Sequence, residues 1–126
     1  MNCTAKHLLV WATAEAACIG AIAQSYSVTD LGVLGRSEMQ LNNLSQVTGT
    51  TLANHAFRWE RGVVTTLGTL GTTSFGREIN DTGQIAGYSY NGSTMRAALF
   101  PATNLIDLGA LSSAVASYAI AINNAG

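Results

Sequence analysis

The sequence predicts an all-β chain organised as a repeat, and three observations carry that prediction. Three short signatures recur in a fixed order, with offsets of 36 to 43 residues between copies. Turn-forming Asn, Asp, Gly and Pro residues punctuate the chain at strand-length intervals. No segment after residue 24 keeps the 3.6-residue apolar period of a helix. The first signature is Asp30-Leu31-Gly32-Val33-Leu34-Gly35, repeated as Thr66-Leu67-Gly68-Thr69-Leu70-Gly71 and as Asp107-Leu108-Gly109-Ala110-Leu111-Ser112. The second is Leu41 to Gly49, echoed by Ile79-Asn80-Asp81-Thr82-Gly83-Gln84-Ile85-Ala86-Gly87 and begun again at Ile122-Asn123-Asn124-Ala125-Gly126. The third is His55-Ala56-Phe57-Arg58-Trp59, matched by Arg96-Ala97-Ala98-Leu99-Phe100. Chance rarely places three motifs in one order twice, so the chain reads as an array of similar units.

Residues 1–23 read as an export signal. Lys6 and His7 precede an apolar run from Leu8 to Ile22, and Ala21-Ile22-Ala23 has the A-x-A form of a cleavage site. Fifteen residues interrupted by Glu15 are too few to span a bilayer, so no membrane span is expected. Both cysteines, Cys3 and Cys18, fall inside this leader. Cleavage before Gln24 leaves a chain without a thiol, hence without disulfides, held by burial and backbone pairing.

The remainder, 24–126, divides into about two and a half units, over 28–71, 72–112 and 113–126. The second unit shows the pattern best. Phe75 to Ile79 is a strand, turned by Asn80-Asp81-Thr82-Gly83 into a second strand from Gln84 to Ser89. Asn91-Gly92 turns the chain again, Arg96 to Phe100 forms the third strand, and Pro101 stops it. Leu105 to Leu111 is the fourth. The first unit supplies the same succession, with Glu60-Arg61-Gly62 as its last turn. The third unit holds only its opening portion, leaving an uncharged edge around Tyr118 to Ile122.

Four short antiparallel strands in about forty residues match the blade of a β-propeller, so the expected architecture is a propeller-like incomplete array, with a β-solenoid as the alternative. Glycines recurring inside strands (Gly32, Gly68 and Gly109; Gly49 and Gly87) imply close backbone approach or bulges, because glycine there is otherwise destabilising. Phe57, Trp59 and Phe100 share a face of their strands. Phe57 and Trp59 are expected to be buried between adjacent units.

These signatures resemble the bacterial extracellular HAF repeat family, named for a His-Ala-Phe tripeptide, here His55-Ala56-Phe57. The family pattern joins that tripeptide and a following tryptophan, here Trp59, to a D-L-G-x-L-G stretch and an I-N-x-x-G-Q-x-x-G stretch. Residues 79–87 fit the last pattern at every fixed position. Ser45 replaces the turn glycine in the first copy, Arg96-Ala97-Ala98 replaces the tripeptide in the second, and Thr66 replaces the aspartate. The resemblance covers residues 28–126 and implies a secreted or surface repeat protein. It carries no catalytic residues to transfer.

Little in the residues points to chemistry. The net charge of −1, and five scattered arginines with no lysine after residue 23, give no electrostatic footprint for nucleic acid. His55 is the only histidine outside the leader, so neither a zinc site nor another cofactor is expected. The carboxylates Asp30, Glu38, Glu60, Glu78, Asp81 and Asp107 are dispersed, with Glu78 and Asp81 the closest pair. Asn80-Asp81-Thr82-Gly83 lacks the spacing of a calcium loop and reads as a turn bonded to its own backbone. Asn43, Asn80 and Asn91 each open a glycosylation sequon. Trp59, Tyr88 and Tyr90 are the candidate ligand contacts, as aromatic rings that can stack on a sugar. The expected function is a secreted or surface repeat module with a structural or recognition role and no catalysis of its own. Its expected partners are a glycan or a cell-surface protein, with self-association through open edges. The alternative is a fragment of a propeller enzyme acting on glycans.

Overall fold

The computed structural model describes residues 25–35 and 38–126. Residues 31–126 form one unit, to which everything below refers. The predicted leader, its cysteines and the cleavage point before Gln24 lie outside the described residues. Among the described residues there is no helix.

Eight strands form two four-stranded antiparallel sheets, each a simple meander. Sheet A takes β1 (Gln40–Leu41), β2 (Val47–Thr50), β3 (Ala56–Glu60) and β4 (Val63–Thr66). Sheet B takes β5 (Ser74–Ile79), β6 (Ile85–Asn91), β7 (Thr94–Phe100) and β8 (Ile106–Gly109). The predicted strands of the second unit are thus all present. Turn chemistry explains the boundaries. Arg61 and Gly62, both at positive φ, make a two-residue hairpin between Glu60 and Val63, the left-handed geometry that suits strand twist. Gly92 at φ +63 does the same between β6 and β7. Neither sheet closes on itself.

The two sheets pack around Ala56, Leu67, Ile79, Ile85, Ala98 and Phe100, with Leu105 against the cluster. The backbones approach closely here. A Cβ on Gly76 would stand 2.5 Å from Thr48 Oγ1, and one on Gly87 would stand 1.9 Å from the Phe75 carbonyl oxygen. Gly35 and Gly71, which end the first two L-G-x-L-G signatures, lie against the Thr50 and Tyr90 carbonyl oxygens, at 2.0 and 2.7 Å from a would-be Cβ. Gly109 instead adopts φ +75 where β8 slips register against β7. Of the glycines expected to do so, Gly87 admits a close backbone approach and Gly109 marks a register shift, whereas Gly32, at φ +67, has nothing near a would-be Cβ.

The second signature turns out to be a staple between units. Asn42 Oδ1 accepts from the Leu44 and Gln46 N–H groups, shaping the turn before β2. Its Nδ2 donates to the Asn80 carbonyl in the next unit, at 2.8 Å. Asn80 repeats the arrangement: Oδ1 accepts from the Thr82 and Gln84 N–H groups, and Nδ2 donates to the Asn123 carbonyl at 3.0 Å. Beside it, the Asp81 carboxylate accepts from the Asn43 backbone and side chain on one flank and from Asn124 Nδ2 on the other. A serine pair echoes the same periodicity, Ala56 N–H donating to Ser74 Oγ and Ala97 N–H to Ser117 Oγ.

Two expectations need correction. Phe57 is fully buried, but neither it nor Trp59 belongs to the cluster between the sheets, and Trp59 is only half-buried. Side chains alternate along β3, so Ala56 faces sheet B while Phe57 and Trp59 face away from it, against Gly49 and Val47. The core at that level is made by Phe100, the counterpart of Trp59 on β7. Residues 113–122 form no strand. They lie along sheet B, with Ser117 N–H donating to the Met95 carbonyl and Ala119 N–H to that of Gly87.

Candidate ligand-binding site

Sheet B carries an aromatic patch. Phe75 and Tyr88 are direct partners across β5 and β6, which puts both rings on one face, stacked at 4.7 Å between centroids. Tyr90, two residues on, shares that face and meets both rings edge-on, at 6.3 Å from Phe75 and 6.4 Å from Tyr88. Tyr118, from the segment lying along the sheet, adds an edge contact to Tyr88 at 6.4 Å. Offset and edge-to-face pairs of this kind are favourable beyond their burial.

Arg77 joins the patch to a cleft. It is the extra residue at the register shift between Gly76 and Glu78, so β5 bends and re-aims its side chain. The guanidinium carbon lies 5.3 Å from the Tyr88 ring centroid, a cation–π distance. Its Nη1 pairs with Glu38 Oε2, and its Nη2 is 3.4 Å from Tyr88 Oη. Glu38 is held at φ +77, an uncommon backbone for a glutamate. Around this pair opens a cleft of about 400 Å³, lined by Glu38, Gln40, Arg77, Glu78, Ile120 and Ala121. One oxygen of Glu78 accepts from the Ile122 N–H at 2.8 Å. The site therefore offers a cation, two carboxylates and an amide beside flat ring surface. These groups can bond several hydroxyls at once.

Of the three predicted ligand contacts, the structure brings Tyr88 and Tyr90 together. Trp59 stands in the other sheet, opposite Val47 and Val64, and touches neither ring. Glu38, Gln40, Phe75, Arg77 and Tyr118 were not among the sequence-derived candidates. The two-residue spacing of Phe75 with Arg77 and of Tyr88 with Tyr90, on strands joined by a predicted turn, was the available signal. The closest carboxylate pair does not converge: Glu78 holds the Ile122 amide while Asp81 is fixed by Asn43 and Asn124. Those bonds, led by the Asn43 side chain, lower the Asp81 pKa below its ordinary 3.8. His55 is half-buried, and its backbone pairs with Thr51 through the His55 carbonyl and N–H. Asn80 is 3% exposed, so its sequon is closed in the folded chain. Among the described residues no helix is long and apolar enough to cross a membrane. Compared with family models, curated proteins and solved structures, the chain matches none of them.

Proposed function

We propose that this chain is a non-enzymatic, exported repeat module of the HAF type, propeller-like in arrangement, serving structure or recognition at the cell surface. The observation that carries the reading is the staple that recurs from Asn42 to Asn80 to Asn123. Identical side-chain roles at each step are the mark of an array in which every unit is held by the next. The closest carboxylate pair is held apart, Asp81 by Asn43 and Asn124 and Glu78 by the Ile122 amide, which supports binding over turnover.

Recognition falls to the face carrying Arg77, Tyr88 and Tyr90. A hydroxyl-rich ligand such as a glycan suits it, because sugar faces stack on rings while their hydroxyls bond carboxylates, amides and guanidinium groups. The protein also self-associates through uncharged sheet edges in this reading. The test is a glycan array read alongside Tyr90→Ala and Arg77→Ala variants. Binding without turnover that both substitutions weaken supports the proposal. Turnover of a bound glycan points instead to part of a propeller enzyme, and binding untouched by either substitution removes this face from the reading.

A further inference from the structure

We propose that sheet A carries a second ligand site, a cleft at the β3–β4 hairpin that takes the acidic group of a saccharide, a carboxylate or a sulfate ester. The cleft holds about 350 Å³ and is lined by Arg58, Glu60, Arg61, Val63 and Thr65. Strand register gathers these residues. Arg58 stands opposite Thr65 and Glu60 opposite Val63, and all four share one face because alternate residues of a strand do. Arg61 follows in the two-residue turn and lines the same cleft. Among the described residues the one ion pair is Arg77 with Glu38, so no carboxylate neutralises Arg58 or Arg61. The Arg58 guanidinium makes a single long bond there, 3.5 Å from Nη1 to the Gly83 carbonyl, and the Arg61 side chain makes none. Glu60, which lies between them in the chain, is instead engaged by Gln46, whose Nε2 donates to Glu60 Oε2 at 3.0 Å.

The internal repeat shows that the scaffold does not need these charges. The counterparts of Arg58 and Thr65 are Leu99 and Ile106, which form the same cross-strand pair in sheet B, and Glu60 corresponds to Pro101. One place in the fold thus accepts an apolar pair in one unit and a cation with a hydroxyl in the other. A half-buried guanidinium without a counter-charge gives up solvation that a leucine does not, so its presence at this place points to an anion brought from outside. Arg61 adds to this. At φ +49 it holds a left-handed turn position that Gly, Asn or Asp occupies more easily. Two guanidinium groups present planar forks that match the oxygens of a carboxylate or a sulfate. The rest of the lining favours a saccharide carrying that group over a bare ion. Glu60 repels further negative charge but accepts from a sugar hydroxyl, Thr65 Oγ1 can donate or accept, and Val63, 63% exposed, offers apolar surface to the C–H face of a ring.

This cleft belongs to sheet A, whereas Arg77, Tyr88 and Tyr90 belong to sheet B, so the inference stands apart from the ligand reading above. Isothermal titration calorimetry on the full chain tests it, with tri-galacturonate, its neutral methyl ester, a monosulfated disaccharide and inorganic sulfate as probes. At least one of the two acidic saccharides is expected to bind, less tightly as salt is raised. The methyl ester and inorganic sulfate are expected to bind at least about tenfold more weakly. Two substitutions remove the cations and respect the fold: Arg58→Leu copies the residue of the other unit, and Arg61→Gly suits the left-handed turn. Each is expected to weaken binding by about tenfold or more, while unfolding in urea stays unchanged or moves toward greater stability. Arg96→Gln removes one positive charge from sheet B and is expected to leave binding unchanged. Equal binding of inorganic sulfate overturns the saccharide as the ligand, and equal weakening by Arg96→Gln reduces the effect to net charge and overturns the cleft. Binding that survives Arg58→Leu and Arg61→Gly but is lost in Arg77→Ala places the acidic saccharide on sheet B, which overturns this proposal and keeps the earlier reading. No binding of either acidic saccharide at millimolar concentration overturns the proposal and leaves the sheet B face to its own glycan array.

Discussion

Asn80→Asp isolates the inter-unit staple from the turn it sits in. Asn80 Oδ1 accepts from the Thr82 N–H at 3.1 Å, the Thr82 hydroxyl at 2.8 Å and the Gln84 N–H at 2.9 Å. A carboxylate keeps all three. The other half of the side chain donates from Nδ2 to Gln84 Oε1 at 2.9 Å and to the Asn123 carbonyl at 3.0 Å. There the substitution sets oxygen against two oxygens. Each lost bond contributes roughly 0.5–1.5 kcal/mol, and the Asn123 carbonyl is left without its donor, so the loss is about 2–4 kcal/mol at neutral pH. Rotation of the Gln84 amide can recover one bond, which favours the lower end. Urea unfolding followed by circular dichroism measures the difference, and thermal unfolding should fall by about 8–16 °C for 2 kcal/mol. A loss under about 0.5 kcal/mol refutes the view that Asn80 holds the units together.

Other substitutions test the remaining scaffold. Ser45 stands at φ +60 where the next unit has Gly83 at φ +79, so Ser45→Gly should stabilise by about 1 kcal/mol in urea unfolding through relief of left-handed strain. Gly87→Ala drives a methyl to 1.9 Å from the Phe75 carbonyl oxygen and should cost about 3 kcal/mol or more, with loss of amide protection in β5 and β6 by hydrogen exchange. Phe57→Ala should cost about 3–5 kcal/mol. Trp59→Ala should cost only about 1–2 kcal/mol, because that ring is half-buried on the face turned from sheet B. Asp81 has a folded pKa below 3.8. Its contribution is complete above that ordinary value and is lost as pH falls through the lowered one, and Asp81→Asn should flatten this part of the stability profile measured between pH 5 and pH 2.

The strands of the second unit were legible because hairpin turns are local chemistry. Asn80 to Gly83, Asn91-Gly92 and Pro101 fix where the chain reverses, whatever lies across from it. The repeat was legible for the same reason, since equivalent environments select the same residues at each step. The staple was half legible: Asn80 read as a turn former, and its Oδ1 does form the turn. That Nδ2 reaches Asn123, 43 residues away, depends on how one unit lies against the next. Trp59 was misplaced because alternation gives two faces to a strand without saying which one meets the neighbouring sheet. Arg77 went unnoticed because a bulge decides its direction, and the bulge exists only once β5 pairs with β6. By itself, then, the sequence determined the all-β class, the meander and the period, through backbone conformations that each short segment prefers alone. Only the tertiary structure decided which faces are buried and which side chains gather beside Arg77, because those follow from contacts between residues far apart in the chain.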